Sequence, residues 1–188
     1  MNINDQINQI NLTNGLLFSD WTDFELNIKK LSGWNDMAIL LNNVNLNNSF
    51  QNDLFVKICK YILLYHPETV NSVEHVLNYN EIPRELARHL NIVEHHKLFD
   101  LLIVTKVNQF IPVQCIYKIN VNNVINQNLI SDVIKQNNGI FMTNCRTSNH
   151  SNPKDKFTII SKNFFINKLN HEIFKNMNIN GVAYMEID

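Results

Sequence analysis

Asp100, Gln114 and Lys118 are the residues whose types and spacing point most directly to chemistry. A carboxylate, an amide and an ammonium held close together can bind Mg²⁺ and position a water for attack on a phosphodiester. All three lie in the stretch LFDLLIVTKVNQFIPVQCIYK, residues 98–118. Polar groups inside apolar runs cost free energy unless something satisfies them. Each also has a plainer reading. Asp100 can cap a turn or pair with a lysine at a sheet edge, Gln114 can be hydrogen-bonded in the core, and Lys118 can be solvated at a strand end.

The stretch must be folded so that these residues meet. Leu98 to Thr105 is one apolar run, Lys106 to Gln109 interrupts it, and Phe110 to Lys118 resumes it. The runs are strand-sized and rich in β-branched and aromatic residues, so two strands joined by a short turn fit better than one helix. Residues two apart share a strand face, which puts Gln114, Ile116 and Lys118 together and Val113, Cys115 and Tyr117 opposite. Folding back about 106–109 brings Asp100 opposite about Cys115, one register step from Gln114.

The flanking chain reads as alternating elements. Helices are expected from Trp21 to Leu31, from Asn35 or Asp36 to Leu41, and from Phe50 to Tyr65, the last on the spacing of Leu54, Phe55, Ile58, Tyr61, Ile62 and Tyr65. Pro67 stops that helix. Val73 to Asn78 is a strand, and Pro83 opens a helix running to about Leu90. Past the hairpin, a helix runs from Asn122 or Asn123 to Gln136 and closes on Asn137-Asn138-Gly139. Ile140 to Thr143 and Phe157 to Ser161 are strands separated by a polar loop. Lys162 to Met177 is an amphipathic helix, and Val182 to Ile187 is a last strand. This order predicts an α/β fold, a mixed central sheet with a core β-hairpin and helices on both faces. One domain over residues 1–188 is expected, with 1–14 frayed, 15–48 as N-terminal helices and 49–188 as the core.

Composition narrows the function classes. Hydrophobic residues are 45% and charged residues 18%, which is globular rather than disordered. A formal net charge of −1 gives no broad nucleic-acid surface, so such binding needs a local basic patch. Arg146, Lys154 and Lys156, in the polar loop CRTSNHSNPKDK (145–156), are the candidates for phosphate contact, against the alternative of a solvated loop. Three widely spaced cysteines without a CxxC point to reduced thiols and an intracellular, non-secreted setting. No apolar stretch of membrane-spanning length is present, so no membrane partner is expected. His89, His95, His96 and Cys115 invite a zinc reading, but adjacent His95 and His96 suit one ion poorly and no fourth ligand has motif spacing.

Several segments carry a resemblance in order and spacing: KYILLYHPE (60–68), NEIPRELARHLNI (80–92), FDLLIV (99–104), PVQC (112–115) and GIFMTN (139–144). Together, over roughly half the chain, they resemble the PD-(D/E)xK restriction-endonuclease-like fold. The similarity is greatest to the Mrr-type nuclease domain of helicase-like proteins in large DNA viruses and linear plasmids. The resemblance implies that Asp100 is the metal-binding Asp and that Gln114 replaces the acidic member of the (D/E)xK motif. It also implies a Lys two residues after Gln114 and a Glu in the preceding helix, where this chain has Ile116 and Val56. Lys118 is one pair further along the same face, roughly 6.5–7 Å by strand rise. Asp53 lies three residues before Val56, on the same side of the helix.

Two readings follow. In one, the fold has lost catalysis and acts as a DNA- or protein-binding module. In the other, it is an active Mg²⁺-dependent DNA endonuclease using Asp100, Gln114 and a displaced Lys118, with Asp53 as a second metal ligand. The partners implied are DNA or a DNA-processing protein such as a helicase, and a homodimer is compatible with the resemblance.

Overall fold

A computed structural model describes residues 29–43, 48–69, 71–90, 92, 97–120, 122–148 and 156–176. The expected fraying of 1–14, the strand from Val182 and nearly all of the helix from Trp21 lie outside the described residues.

Helix α1 (Trp34–Asn43) buries Trp34, Met37 and Leu41, the i, i+3, i+7 stripe of one face. The Ser32 amide donates to Asp36 at 2.8 Å, satisfying a main-chain donor just before the helix. Helix α2 (Asn48–Tyr65) begins earlier than the apolar pattern suggested and buries Leu54, Phe55, Ile58, Cys59, Ile62 and Leu63. Pro67 follows it, and the Thr69 hydroxyl donates to the Ile62 and His66 carbonyls that the helix end leaves open.

Five strands form the central sheet. They are β1 (Val73–Asn78), β2 (Leu101–Thr105), β3 (Phe110–Ile116), β5 (Ile140–Thr143) and β7 (Thr158–Ile160), in the order β1-β2-β3-β5-β7. β1, β2 and β3 run antiparallel, whereas β5 is parallel to β3 and β7 parallel to β5. The β2–β3 turn closes with Asn108 N–H donating to Thr105 O at 2.8 Å, and Asn108 takes φ 57°. Asn is one of the few side chains that adopts this left-handed conformation at low cost.

Helices cover both faces. On one face Leu101, Ile103, Val113, Cys115 and Met142 pack with α1, α2 and the C-terminal aromatics Phe165 and Phe174. On the other, Leu102 and Phe141 pack with Phe99, Ile125, Ile130 and Ile134, and with Leu86 of α3 (Arg84–His89). The fold is therefore mixed α/β, with a five-stranded mixed sheet flanked by helices.

Three expectations need correction. The helix from Asn122 or Asn123 to Gln136 is instead strand β4 (Val124–Ile125), a 3₁₀ turn (Gln127–Leu129) and the short helix α4 (Asp132–Gln136). Asparagine side chains cause this: Asn120 accepts from Asn122 N–H and Asn126 from Asn128 N–H, each at 3.0 Å, competing with the helical ladder. The loop after Cys145 contains β6 (Arg146–Thr147), which pairs parallel with β4. The C-terminal helix breaks into α5 (Lys162–Lys168) and α6 (His171–Asn176), because Asn170 makes a bridge with Gly33 and its side chain accepts from Ile173 N–H. At the end of α4 the left-handed residue is Asn138, with φ 52°, and not Gly139. Gly139 serves close approach: a Cβ there would stand 2.8 Å from Pro112 O and 2.9 Å from Ile134 Cα.

Candidate functional site

Asp100 sits just before β2. The hairpin pairs Leu101 with Val113 and Leu102 with Pro112, so position 100 comes level with Gln114, one residue from the expected register. Its backbone N–H donates to Val113 O at 2.8 Å. Its carboxylate Oδ2 accepts the Cys115 N–H at 2.7 Å, extending the pairing of the two chains with a side chain. Its Oδ1 lies 2.8 Å from the Lys97 ammonium. The side chain of Asp100 is 11% exposed and that of Lys97 52%, so the pair caps a buried carboxylate from the solvent side. Burial acts to lower the Lys97 pKa, but the hydrogen bond and charge of Asp100, followed by the charge of Asp53, outweigh it and leave it raised. Of the plain readings, pairing with a lysine describes Asp100, though at the start of an interior strand and not at a sheet edge. The i, i+3 spacing of Lys97 and Asp100 was the only sequence signal, and it lay outside the apolar run.

Gln114 is satisfied at both ends. Its Nε2 donates to Leu129 O at 3.1 Å, and its Oε1 accepts Ser131 N–H at 2.8 Å. The amide thus docks the 3₁₀ turn and the start of α4 onto β3. Val56 is buried in the α2 face of the core, and Ile116 is half-buried against the other face. The two apolar residues in place of the implied Glu and Lys are therefore packed on opposite sides of the sheet. Asp53 is exposed on α2, one turn before Val56, and its charge reaches both Lys97 and Lys57.

This arrangement does not fit a magnesium ion. Mg²⁺ demands near-octahedral oxygen ligation. Here both Asp100 oxygens are engaged by protein donors, as is the Gln114 carbonyl oxygen. Among the described residues no group of three His, Cys, Asp or Glu side chains is placed to hold a metal. Of the zinc set, His89 is exposed at the end of α3 and Cys115 is buried, while His95 and His96 lie outside the described residues. The Cys115 thiol is pushed up by burial and by its hydrogen bond with Cys59.

Lys118 lies two residues past the end of β3. Its N–H donates to Asn144 Oδ1 at 2.9 Å, and Asn144 Nδ2 donates to its carbonyl at 2.7 Å. The fully buried Asn144 so clamps the ends of β3 and β5 together. The Lys118 side chain is exposed, and the ion partner of Asp100 among the described residues is Lys97, not Lys118. Lys118 and Lys162 both act on the Cys145 thiol; burial raises its pKa, and the Thr143 hydroxyl and the two ammonium charges only partly offset that. Lys162 N–H also donates to Cys145 O at 3.1 Å. Exposed Arg146 follows Cys145 directly, Lys156 is exposed before β7, and Lys154 lies outside the described residues. Lys118, Arg146 and Lys162 thus gather where β3, β5 and β7 end. No carboxylate pairs with any of them among the described residues. Lys162 belongs to this rim and was not singled out from the sequence, where it reads as the first residue of an amphipathic helix.

Compared with protein-family models, curated proteins and solved structures, the chain matches none. Among the described residues, no helix is long and apolar enough to cross a membrane.

Proposed function

We propose that this chain is a restriction-endonuclease-like scaffold whose cutting centre has become structural, and that it binds DNA through phosphate contacts without cleaving it. One observation carries the reading: the Asp100 carboxylate is consumed by Lys97 and by the Cys115 N–H. A metal-dependent nuclease needs that carboxylate facing an ion. The mixed sheet with its core hairpin agrees with the resemblance in general form, and Val56 and Ile116 supply packing where ligands are implied. DNA is favoured over a protein partner because Lys118, Arg146 and Lys162 have no carboxylate of their own among the described residues. Cations of this kind contact phosphate oxygens and release counterions. The net charge of −1 confines such contacts to a local rim.

The active-enzyme reading has one observation in its favour. Lys97 brings an ammonium to Asp100, and the charge of Asp53 reaches it, so a carboxylate pair and a lysine are at least neighbours. Incubation of wild type and Asp100→Asn with supercoiled plasmid in Mg²⁺ or Mn²⁺ separates the readings. Intact plasmid with both proteins is expected; nicking by wild type alone would establish an enzyme. Fluorescence anisotropy with a labelled duplex tests the binding claim. Affinity should fall steeply with salt, and each lysine removed from the rim should reduce the log–log slope by about 1. A duplex left unbound at low salt sinks the DNA-binding claim.

A further inference from the structure

Outside the rim, three polar features lie close to the hairpin or its flanking helix α2. The Cys59–Cys115 thiol pair is buried, and burial disfavours its thiolates. The Lys60–Glu81 pair is a tether between α2 and the end of β1. The third is Lys97, whose ammonium stands at the one carboxylate that the resemblance makes a metal ligand.

We propose that Lys97 is a built-in counter-ion, whose ammonium takes the place at Asp100 that a divalent cation would otherwise compete for. The inference rests on the reading of the hairpin entrance as structural. Asp100 is the least exposed carboxylate among the described ion pairs, and its Oδ1 faces the ammonium at 2.8 Å. Its second oxygen holds the Cys115 N–H, so the side chain has to keep its orientation for this bond across the hairpin entrance. An uncompensated buried charge at this point is costly. Some cation must answer it. A lysine three residues earlier on the same chain does so without a diffusible ion. The charge of Asp53 on the neighbouring α2 acts on the same ammonium in the same direction, after that of Asp100.

The consequence is specific. With Lys97 in place, a divalent cation must displace a tethered ammonium and meets its repulsion. Without it, the Asp100 carboxylate loses its counter-charge, with the Asp53 charge still acting on the same place. Lys97 is half exposed and, among the described residues, hydrogen-bonds Asp100, so its removal strands no buried donor and leaves the Asp100 carboxylate still accepting the Cys115 N–H. Lys97→Gln and Lys97→Ala should therefore fold, which circular dichroism checks directly.

Mn²⁺ titration, followed by calorimetry and by the electron paramagnetic resonance of free Mn²⁺, tests the proposal. Wild type should bind Mn²⁺ no better than at millimolar concentrations. Lys97→Gln or Lys97→Ala should bind about tenfold tighter or more, as expected when a like charge leaves the site. Asp100→Asn in the Lys97→Gln background should abolish the gain. Lys118→Gln, which removes the same charge elsewhere, should produce no gain. The proposal is overturned if neither folded Lys97 variant gains affinity, if wild type already binds as tightly as they do, or if Lys118→Gln gains equally. The DNA and plasmid assays fail or succeed independently of these outcomes. A wild type that cuts DNA removes the underlying reading, whereas an unchanged Mn²⁺ affinity removes only the role of Lys97.

Discussion

One end of the central sheet divides into two halves that treat positive charge differently. On the β1–β2 half two lysines are each paired with a carboxylate. Lys97 meets Asp100 at 2.8 Å, and Lys60, almost fully buried, meets Glu81 at 2.7 Å beside the end of β1. On the β3–β5–β7 half, Lys118, Arg146 and Lys162 have none among the described residues. The halves are joined by the β2–β3 pairing, which Asp100 N–H extends by donating to Val113 O and the Asp100 carboxylate by accepting Cys115 N–H. The difference teaches which charges belong to the fold. Cations paired with buried or half-buried carboxylates stabilise the chain against itself. Cations left in solvent cost the fold little, and they remain available to an anionic partner.

The paired half should fail first. Asp100→Ala leaves the Cys115 N–H without its acceptor and Lys97 without its partner. A loss of about 2–4 kcal/mol in denaturant unfolding is expected. A loss below that of a surface substitution would mean that Asp100 does not hold the hairpin entrance, and the contrast between the halves would collapse.

Acid probes the same half with a smaller effect. Burial acts to raise the Glu81 pKa, but the Lys60 hydrogen bond, the Asn78 amide and the Lys60 charge together leave it below the ordinary carboxylate value. A carboxylate depressed in the folded state contributes stability that is fully present above its unfolded pKa and is lost as pH falls through the folded one. The contribution should thus be intact at neutral pH and decline below about 4.5. Because the Glu81 side chain is 45% exposed, the expected size is about 0.2–1 kcal/mol, the range of a solvent-screened pair. Comparing wild type with Glu81→Gln at pH 7 and pH 3 measures it. The gap present at pH 7 should narrow at pH 3; a gap of unchanged size would assign Glu81 a packing role instead.

The sequence made one part of this contrast legible and hid the other. Strands Val73–Asn78 and Ile140–Thr143 follow from short β-branched and apolar runs bounded by turn residues, and the structure has them at those limits. The hairpin followed from the interruption at 106–109, although the residue that turns it, Asn108, is indistinguishable from the many asparagines elsewhere. Those asparagines also misled: the segment 122–136 had a helical spacing, but Asn120 and Asn126 side chains took main-chain donors instead. Asp100 and Gln114 stood out as polar residues in apolar runs, and both are indeed satisfied. Their partners were the unreadable part. Gln114 bonds Leu129 and Ser131, 15 and 17 residues away, through a turn that no local pattern announces. A costly buried amide signals that a partner must exist, but not whether it is an ion, a water or a main-chain group.

The unpaired half should change stability least and binding most. Lys118→Ala and Lys162→Ala remove exposed or half-buried ammonium groups that make no ion pair among the described residues. Their effect on denaturant midpoints should stay within about 0.5 kcal/mol, as for ordinary surface positions. Main-chain atoms of both residues remain, so Asn144 keeps its two bonds to Lys118 and the Cys145 carbonyl keeps its donor from Lys162. If these cations serve a phosphate backbone, the double variant should lose duplex affinity across all sequences, with a shallower salt dependence. A stability loss comparable to that of Asp100→Ala would show that the rim cations are part of the fold after all, and the two halves would then differ only in how their partners are hidden.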